Sequence, residues 1–257
     1  MKRTRDLQEG FTDAEQAALY DRLHPPQERN DFRFYLPMIM AADAVLDVGC
    51  GTGALLHMAR QAGHIGRLVG LDPAAGMLEQ ARRRSDIECI LGDLSSVAFD
   101  REFDLAVMTG HAFQELITDG EVRAAFGSAR SSLADDGRFA FETRNPAARA
   151  WEDWTPDHGV DFEDANGNPI RWEADVELPI TGDIVHFRAT FSGPIWSYPQ
   201  ESTGSLRFLD APRLNDLLAD AGLAVESQYG YWDRSLLTDA SPEIITIAHR
   251  NRASRAP

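Results

Sequence analysis

Apolar strands alternate with helical segments between residues 44 and 143, and this alternation predicts an α/β fold built on a mostly parallel sheet. Two further observations agree with that class. The first strand runs into alternate glycines at Gly49, Gly51 and Gly53, and the chain of 257 residues is 43% apolar, enough for one sizeable core. Because parallel strands need crossover connections, we expect helices on both faces of the sheet.

The spacing of apolar residues locates the individual elements. Strands are predicted near residues 44–48, 67–72, 87–91, 103–109 and 137–143. Helices are predicted at residues 54–62, 74–84 and 119–133, the last ended by a turn at Asp135, Asp136 and Gly137. Right-handed crossovers would place the carboxyl ends of these strands at one edge of the sheet.

The alternation stops after the fifth strand, and residues 147–204 instead combine aromatic residues with β-rich runs. The segments 176–180 and 184–191 flank Thr181, Gly182 and Asp183, which is typical of a hairpin, so we expect an antiparallel cap. Regular structure resumes with a strand at 205–208 and a helix from about Pro212 to Asp220. Residues 224–231 and 243–249 are predicted to close the sheet as an antiparallel hairpin, which brings it to seven strands.

Two helices are predicted before the first strand. Residues 12–15 have the sequence of a capping box, and Pro25 and Pro26 would end the helix that it opens. A second helix from about Gln27 would carry Arg33, Phe34 and Tyr35.

The glycine turn indicates a nucleoside ligand. Glycines lack a Cβ, so the backbone can turn sharply after the strand and approach a ligand closely. Asp72 ends the next strand, where a carboxylate could accept both hydroxyls of a ribose. Asp47 could accept a hydrogen bond from a cationic amine, and Asp93 from the exocyclic amine of adenine. The glycine spacing also satisfies a dinucleotide fingerprint, so an NAD(P) oxidoreductase remains an alternative.

The fourth strand delivers Thr109, Gly110, His111 and Phe113 to the same edge of the sheet. With residues 45–53, 69–72 and 92–93, this set resembles the class I S-adenosylmethionine-dependent methyltransferases, over most of residues 12–146 and again at 206–249. The cap resembles that of methyltransferases acting on small metabolites, including N-methyltransferases of natural-product pathways. The resemblance implies a Rossmann-like class I methyltransferase fold, with a seven-stranded mostly parallel sheet, a terminal antiparallel hairpin and a small antiparallel cap insertion.

The same resemblance implies a three-part organisation and a cofactor. Residues 1–43 would form a helical lid, residues 44–146 and 205–257 the cofactor-binding core, and residues 147–204 the substrate cap. The cofactor would be S-adenosyl-L-methionine, released as S-adenosyl-L-homocysteine. The residues that the resemblance assigns to its binding are Asp47, Gly49, Gly51, Gly53, Asp72, Pro73, Met77, Asp93, Leu94, Thr109, Tyr20 and Arg33.

The expected reaction is an in-line methyl transfer to a small molecule, with amine nitrogen as the preferred acceptor. His111 is the candidate catalytic base or orienting group, although it could equally pack against a helix. An O-methyltransferase and a non-catalytic binding protein remain alternatives. Histidine spacing predicts no metal site. The candidate substrate-binding residues, several of which have an equally good structural interpretation, are Phe113, Glu142, Arg144, Trp172 and Tyr229.

Composition limits the partners that the chain can have. The net charge of −16 would repel a phosphate backbone, which speaks against a nucleic-acid substrate. The two cysteines, Cys50 and Cys89, are expected to be reduced. The polar start and the lack of a long apolar run predict a cytoplasmic protein without a membrane partner. A homo-oligomer is compatible with the sequence but is not predicted by it.

Overall fold

The computed structural model describes residues 5–6 and 14–251. The strands in chain order are β1 (Arg5–Asp6), β2 (Ala44–Val48), β3 (Arg67–Asp72), β4 (Glu88–Leu91), β5 (Phe103–Met108), β6 (Leu133–Arg144), β7 (Val160–Glu163), β8 (Pro169–Val176), β9 (Ile184–Ser192), β10 (Gln200–Arg207), β11 (Leu223–Tyr229) and β12 (Glu243–Arg250). The helices are α1 (Ala14–Leu23), α2 (Asn30–Met40), α3 (Ala54–Gln61), α4 (Ala75–Ala81), α5 (Asp119–Ser132) and α6 (Ala211–Asp220). Short 3₁₀ turns include Ala112–Glu115, which follows β5.

Seven strands form the main sheet in the order β11–β12–β6–β5–β2–β3–β4. The five strands from β6 to β4 are parallel, whereas β12 runs antiparallel to both β6 and β11. This confirms the predicted mostly parallel sheet with a terminal antiparallel hairpin. Hydrophobic clusters cover both faces, with Phe126 and Phe141 on one face and Tyr35 and Leu56 on the other, as buried parallel strands require.

The fifth predicted strand begins earlier than expected. β6 starts at Leu133, directly after α5, and includes the residues predicted as a turn. Leu133 pairs with Phe103 and Arg138 with Leu105, so residues 134–137 interrupt the ladder as a bulge. A Cβ on Gly137 would lie 2.8 Å from the carbonyl oxygen of Phe103, which explains the glycine there. Asp135, Asp136 and Gly137, predicted as a turn between helix and strand, therefore form an irregularity within β6.

The cap is a separate sheet in which β10, β9, β8 and β7 pair antiparallel, with the two residues of β1 added parallel to β10. The hairpin at Gly182 is confirmed by its φ of +71° and by a bridge between Thr181 and Ile184. The strand before the hairpin differs from the prediction of 176–180, because β8 ends at Val176 and residues 177–180 are not a strand. Pro179 lacks the N–H that a strand interior needs, which accounts for the early end.

The two amino-terminal helices lie where the sequence predicts helical structure. The predicted capping residues Thr12 and Asp13 fall outside the described part of the chain, and α2 starts at Asn30 rather than near Gln27. The hydroxyl of Thr52 donates to Asp21 of α1 at 2.8 Å, and this bond joins the helix to the glycine turn. The division into lid, core and cap stays a prediction. Within the described ranges, no helix has the length and apolarity needed to cross a membrane.

Candidate active site

The turn after β2 holds its three glycines in the left-handed region. Gly49, Gly51 and Gly53 have φ values of +71°, +55° and +71°, which other residues adopt at a cost. A Cβ on Gly51 would meet nothing within 4 Å, so the space beside this residue is open. A Cβ on Gly53 would lie 2.9 Å from the side chain of Ile87. Gly53 therefore serves helix packing, whereas Gly49 and Gly51 face a cavity.

We call this space the glycine cavity, with a volume of about 110 Å³. Asp72 lines the glycine cavity and is held in place by two hydrogen bonds. Its two carboxylate oxygens accept from the backbone N–H groups of Gly51 and Ala74, each at 2.8 Å. Burial raises the pKa of Asp72, although these two amides oppose the shift. Each oxygen keeps a further lone pair for a hydroxyl donor. The remaining predicted residues that line the glycine cavity are Pro73, Met77, Thr109 and Tyr20.

Asp47 lies two residues before Gly49, is only 1% exposed and is not among the residues that line the glycine cavity. Its Oδ1 atom has no hydrogen-bond partner among the described residues. Burial raises the pKa of Asp47 to about 8, and the charge of Arg29 opposes that shift. A buried, unpartnered carboxylate oxygen is costly, and a cationic hydrogen-bond donor on a ligand would relieve that cost.

Asp93, predicted to bind the exocyclic amine of adenine, and Leu94, predicted to bind the cofactor, do not line the glycine cavity. The exposed carboxylate of Asp93 accepts a hydrogen bond on Oδ1 from the hydroxyl of Ser95 at 2.6 Å, which is the main cause that lowers its pKa. The backbone N–H groups of Ser95 and Ser96 also donate to Oδ1, at 2.8 and 2.9 Å. Leu94 is buried in the hydrophobic core, against the expectation for an adenine-facing side chain. A role for Oδ2 of Asp93 at an amine stays a prediction.

The expectation for Arg33 is corrected by the structure. Arg33 is exposed and donates to Asn30 and to the carbonyl of Gln27, away from the glycine cavity. The nearby cation is Arg29, which forms an ion pair with Asp31. A Cβ on Gly110 would lie 2.9 Å from an Arg29 nitrogen, so Arg29 lies close to Gly110, which lines the glycine cavity. The sequence offered no signal for Arg29 beyond a single basic residue between two helices.

A second space, the aromatic cavity, has a volume of about 220 Å³. It lies between α1, the turn after β5 and the cap sheet. Its wall includes Trp154, Trp172, Phe187 and Phe191, with His111 and Arg144 among its polar members. The two cavities share the lining residues Tyr20, Gly110 and Glu115. Glu115 was not predicted, because nothing in its local sequence separates it from a surface acid.

His111 lies in the wall of the aromatic cavity. Its backbone N–H donates to Glu142 at 2.8 Å, and its Nε2 atom lies 3.0 Å from a carboxylate oxygen of Glu243. Burial, helped by the charge of Arg144, lowers the pKa of His111 well below its usual value, so the ring is neutral near pH 7. Burial also raises the pKa of Glu243 to about 7.

The protonation state of Glu243 decides which ring nitrogen of His111 carries the proton. When Glu243 is ionised it accepts a hydrogen bond from Nε2–H, and the lone pair of the ring then resides on Nδ1. Nδ1 has no hydrogen-bond partner in the described part of the chain, so it is available to a ligand. Glu243 was not predicted, because only the pairing of β12 with β6 brings it to this edge.

Three predicted substrate residues do not line the aromatic cavity. Phe113 is buried and stacks on Phe126, with 5.5 Å between ring centroids, so it belongs to the core. Glu142 is fully buried and accepts a hydrogen bond from the hydroxyl of Tyr35 at 2.7 Å, which leaves it as a support for His111. Tyr229 packs edge-on against Phe34 on the other side of the sheet. Trp172 and Arg144 do line the aromatic cavity.

The described residues contain no cluster of three or more His, Cys, Asp or Glu that could hold a metal ion. Cys50 and Cys89 are free thiols.

Comparison with known proteins agrees with this architecture. Residues 45–137 match the family described as methyltransferase domain. The cypemycin N-terminal methyltransferase of a Streptomyces species is 39% identical over 72 residues, which are 27% of this chain and 29% of that protein. A malonyl-[acyl-carrier protein] O-methyltransferase of Anoxybacillus flavithermus is 26% identical over 133 residues, 51% of this chain and 50% of that protein. The chain thus spans half or less of the length of these relatives.

Solved structures share the fold over most of the chain. An S-adenosylmethionine-dependent methyltransferase from Clostridium acetobutylicum superposes with a TM-score of 0.74 at 16% identity, covering 93% of this chain and 98% of that one. CalS10, an amino pentose methyltransferase from Micromonospora echinaspora, was solved with S-adenosylmethionine bound. It superposes with a TM-score of 0.66 at 21% identity, covering 90% and 96%. Residues 45–137 therefore match the methyltransferase domain family, and the chain shares the fold of these S-adenosylmethionine-dependent methyltransferases.

Proposed function

We propose that this protein transfers the methyl group of S-adenosyl-L-methionine to a small molecule, preferably to an amine nitrogen. The observation that carries this proposal is the contact between the two cavities at Tyr20, Gly110 and Glu115. A ligand in the glycine cavity and one in the aromatic cavity would meet there, next to Tyr20 of α1. In-line transfer needs mainly such positioning.

The residues around the glycine cavity fit S-adenosyl-L-methionine, which supplies an electrophilic methyl group when bound. Asp72 has lone pairs for the ribose hydroxyls, and the open side of Gly51 leaves room for close approach. The unpartnered Oδ1 of Asp47 would receive the positively charged amino group of the methionine part. Met77 and Pro73 offer apolar contact to the adenine.

The electrostatics of His111 favour nitrogen as the acceptor atom. A histidine whose pKa is lowered is a weak base, and a weak base cannot remove a proton from an aliphatic alcohol efficiently. An ammonium group is far more acidic, so it could lose its proton to Nδ1 of His111 or to water before the transfer. CalS10, described as an amino pentose methyltransferase, supports this choice. The alternative is an oxygen acceptor, as in the malonyl-[acyl-carrier protein] O-methyltransferase relative.

Two measurements test the proposal. Calorimetry should show binding of S-adenosyl-L-methionine and S-adenosyl-L-homocysteine, and no binding of NADH. A panel of amines, alcohols and phenols should then show transfer of a labelled methyl group to amines first. Absence of binding would refute the cofactor assignment, and binding without any turnover would favour a non-catalytic binding protein. Transfer to hydroxyl groups alone would replace nitrogen by oxygen.

Three expectations from the sequence remain predictions. They concern the cytoplasmic location, the exclusion of nucleic acid as a substrate and the assembly with further copies of the chain.

A further inference from the structure

Arg144 is the last residue of β6 and extends into the wall of the aromatic cavity. Its guanidinium carbon lies 5.2 Å from the ring centroid of Trp154, and its Nη1 atom donates to Oε1 of Gln114 at 2.9 Å. Gln114 is itself fixed, because it is fully buried and donates to the carbonyl of Arg207 at 3.0 Å. The position of the guanidinium is therefore set by neutral groups.

Among the described residues Arg144 has no carboxylate oxygen within ion-pair distance, although the charges of Glu243 and Glu142 act on it from farther away. Glu243 is its partner across the β6–β12 ladder, but the carboxylate of Glu243 points to His111 at 3.0 Å. Glu142 is engaged with Tyr35. Arg29, the other arginine near the two cavities, does have an ion-pair partner in Asp31.

A half-buried guanidinium with one described hydrogen bond retains most of its five N–H donors. Arginine presents these donors as a planar fork, which matches the two oxygens of a carboxylate or a phosphate. The rest of the cavity wall is apolar and aromatic, with Trp172, Phe187 and Phe191 contributing ring faces or edges.

From this arrangement we infer that the acceptor molecule carries an oxyanion, a carboxylate or a phosphate, that Arg144 binds while the aromatic wall holds an apolar body. The inference rests on the proposed function insofar as the aromatic cavity is the acceptor site. Arg144 would position the acceptor in the aromatic cavity and select it by charge.

Matched pairs of small probes test this inference. Phenylacetate is compared with phenylacetamide, and phenyl phosphate with phenol, by quenching of tryptophan fluorescence, since Trp154 and Trp172 line the cavity. The measurements are made with and without S-adenosyl-L-homocysteine. The wild-type protein should bind at least one anionic probe about 10-fold or more tightly than its neutral partner, because an arginine–oxyanion pair is charge-assisted. The pair that shows the preference distinguishes carboxylate from phosphate.

Arg144→Met should abolish the preference for the anion and leave the affinity for the neutral probe within about 2-fold. Arg144→Lys, which keeps the charge without the fork, should restore part of the preference. Arg149→Met is the matched control, because Arg149 also lies over a tryptophan, Trp151, but is exposed and outside the cavity. It should retain the full preference.

Two outcomes would overturn the inference. One is a wild-type protein that binds no anionic probe better than its neutral partner, and the other is an Arg144→Met protein that keeps the preference. Binding of S-adenosyl-L-homocysteine to every variant serves as the folding control. A wild-type protein that does not bind S-adenosyl-L-homocysteine would refute the proposed function. The preference for anionic over neutral probes, measured without S-adenosyl-L-homocysteine, would still decide the role of Arg144.

Discussion

The glycine cavity and the aromatic cavity meet at three residues, but they are built in different ways. The glycine cavity is formed by backbone and short side chains at the carboxyl ends of neighbouring parallel strands, such as Gly51 after β2 and Asp72 at the end of β3. The aromatic cavity draws large side chains from α1, β6, β8 and β9. The first is therefore fixed by local sequence and sheet topology, whereas the second depends on how the cap packs on the core.

Asp72→Asn should have the largest effect, and only on the glycine cavity. Each carboxylate oxygen of Asp72 accepts a hydrogen bond, one from Gly51 N–H and one from Ala74 N–H. An asparagine has only one such oxygen, so its amide nitrogen would face one of these backbone donors. We expect affinity for S-adenosyl-L-homocysteine to fall about 100-fold by calorimetry. Asp233→Asn, at an exposed carboxylate that also accepts from a backbone N–H, is the control. Equal affinity in Asp72→Asn and wild type would contradict the assignment of Asp72.

Gly51→Ala should weaken binding of the same compound about 10- to 50-fold, since each 1.4 kcal/mol lost is a factor of 10. The added methyl group meets no protein atom, so it would occupy ligand space. Gly63→Ala is the matched control, because Gly63 also has a positive φ and open surroundings but lies after α3, outside the cavity. Both variants should lose about 1–2 kcal/mol of stability from the left-handed backbone. Similar binding by the two variants would show that Gly51 faces no ligand.

Trp172→Ala should affect the aromatic cavity alone. We expect the KM for an acceptor found in the panel to rise about 10-fold, because an aromatic wall is removed, while affinity for S-adenosyl-L-homocysteine stays within about 2-fold. Trp196→Ala serves as a control, since Trp196 packs in the same cluster without lining the cavity. An equal change in both affinities would mean that the two cavities are not energetically separate.

Glu243→Gln should change the pH dependence of kcat/KM. In the wild type the rate should increase as pH passes about 7, because ionised Glu243 holds His111 as the Nε2–H tautomer. The variant has no ionisation there, so this step should disappear, and its rate above pH 8 should fall a few-fold. A step near pH 7 that persists in the variant would assign it to another group.

Glu142→Gln should act on stability rather than on ligand binding. Burial raises the pKa of Glu142 from 4.5 to about 8, so between these values the folded state keeps a proton that the unfolded state has lost. Wild-type stability therefore falls as pH rises through that window, by roughly 1 kcal/mol per pH unit from this group. Glutamine has no proton to lose. The free energy of unfolding, measured with urea at pH 5 and pH 8, should therefore fall less between these two pH values in the variant than in the wild type. An equal fall would place the pKa of Glu142 lower.

The sequence was informative where function follows from strand order. Gly49, Gly51 and Asp72 lie together because crossovers bring consecutive strand ends to one edge. It failed where side-chain direction decides, since Phe113 and Tyr229 face the packed layers of the sheet rather than the aromatic cavity. A helical position alone could not show that Arg33 faces outwards.

Residues brought in by tertiary pairing were the least predictable. Glu243 follows a loop at the far end of the chain and reaches His111 only because β12 inserts beside β6. Arg29 comes close to Gly110 from the segment between α1 and α2. No local pattern encodes either of these placements.

Helix α1 has consequences for redesign, because its two sides pack against different layers. Ala17 and Tyr20 pack on Met77 of the core, whereas Leu19 and Leu23 pack among cap residues that include Ile170. Exchanging the cap for that of another protein would therefore require a compatible change at Leu19 and Leu23. The core-facing side of the helix could be kept, so this one segment sets how freely new acceptor specificities can be grafted onto the chain.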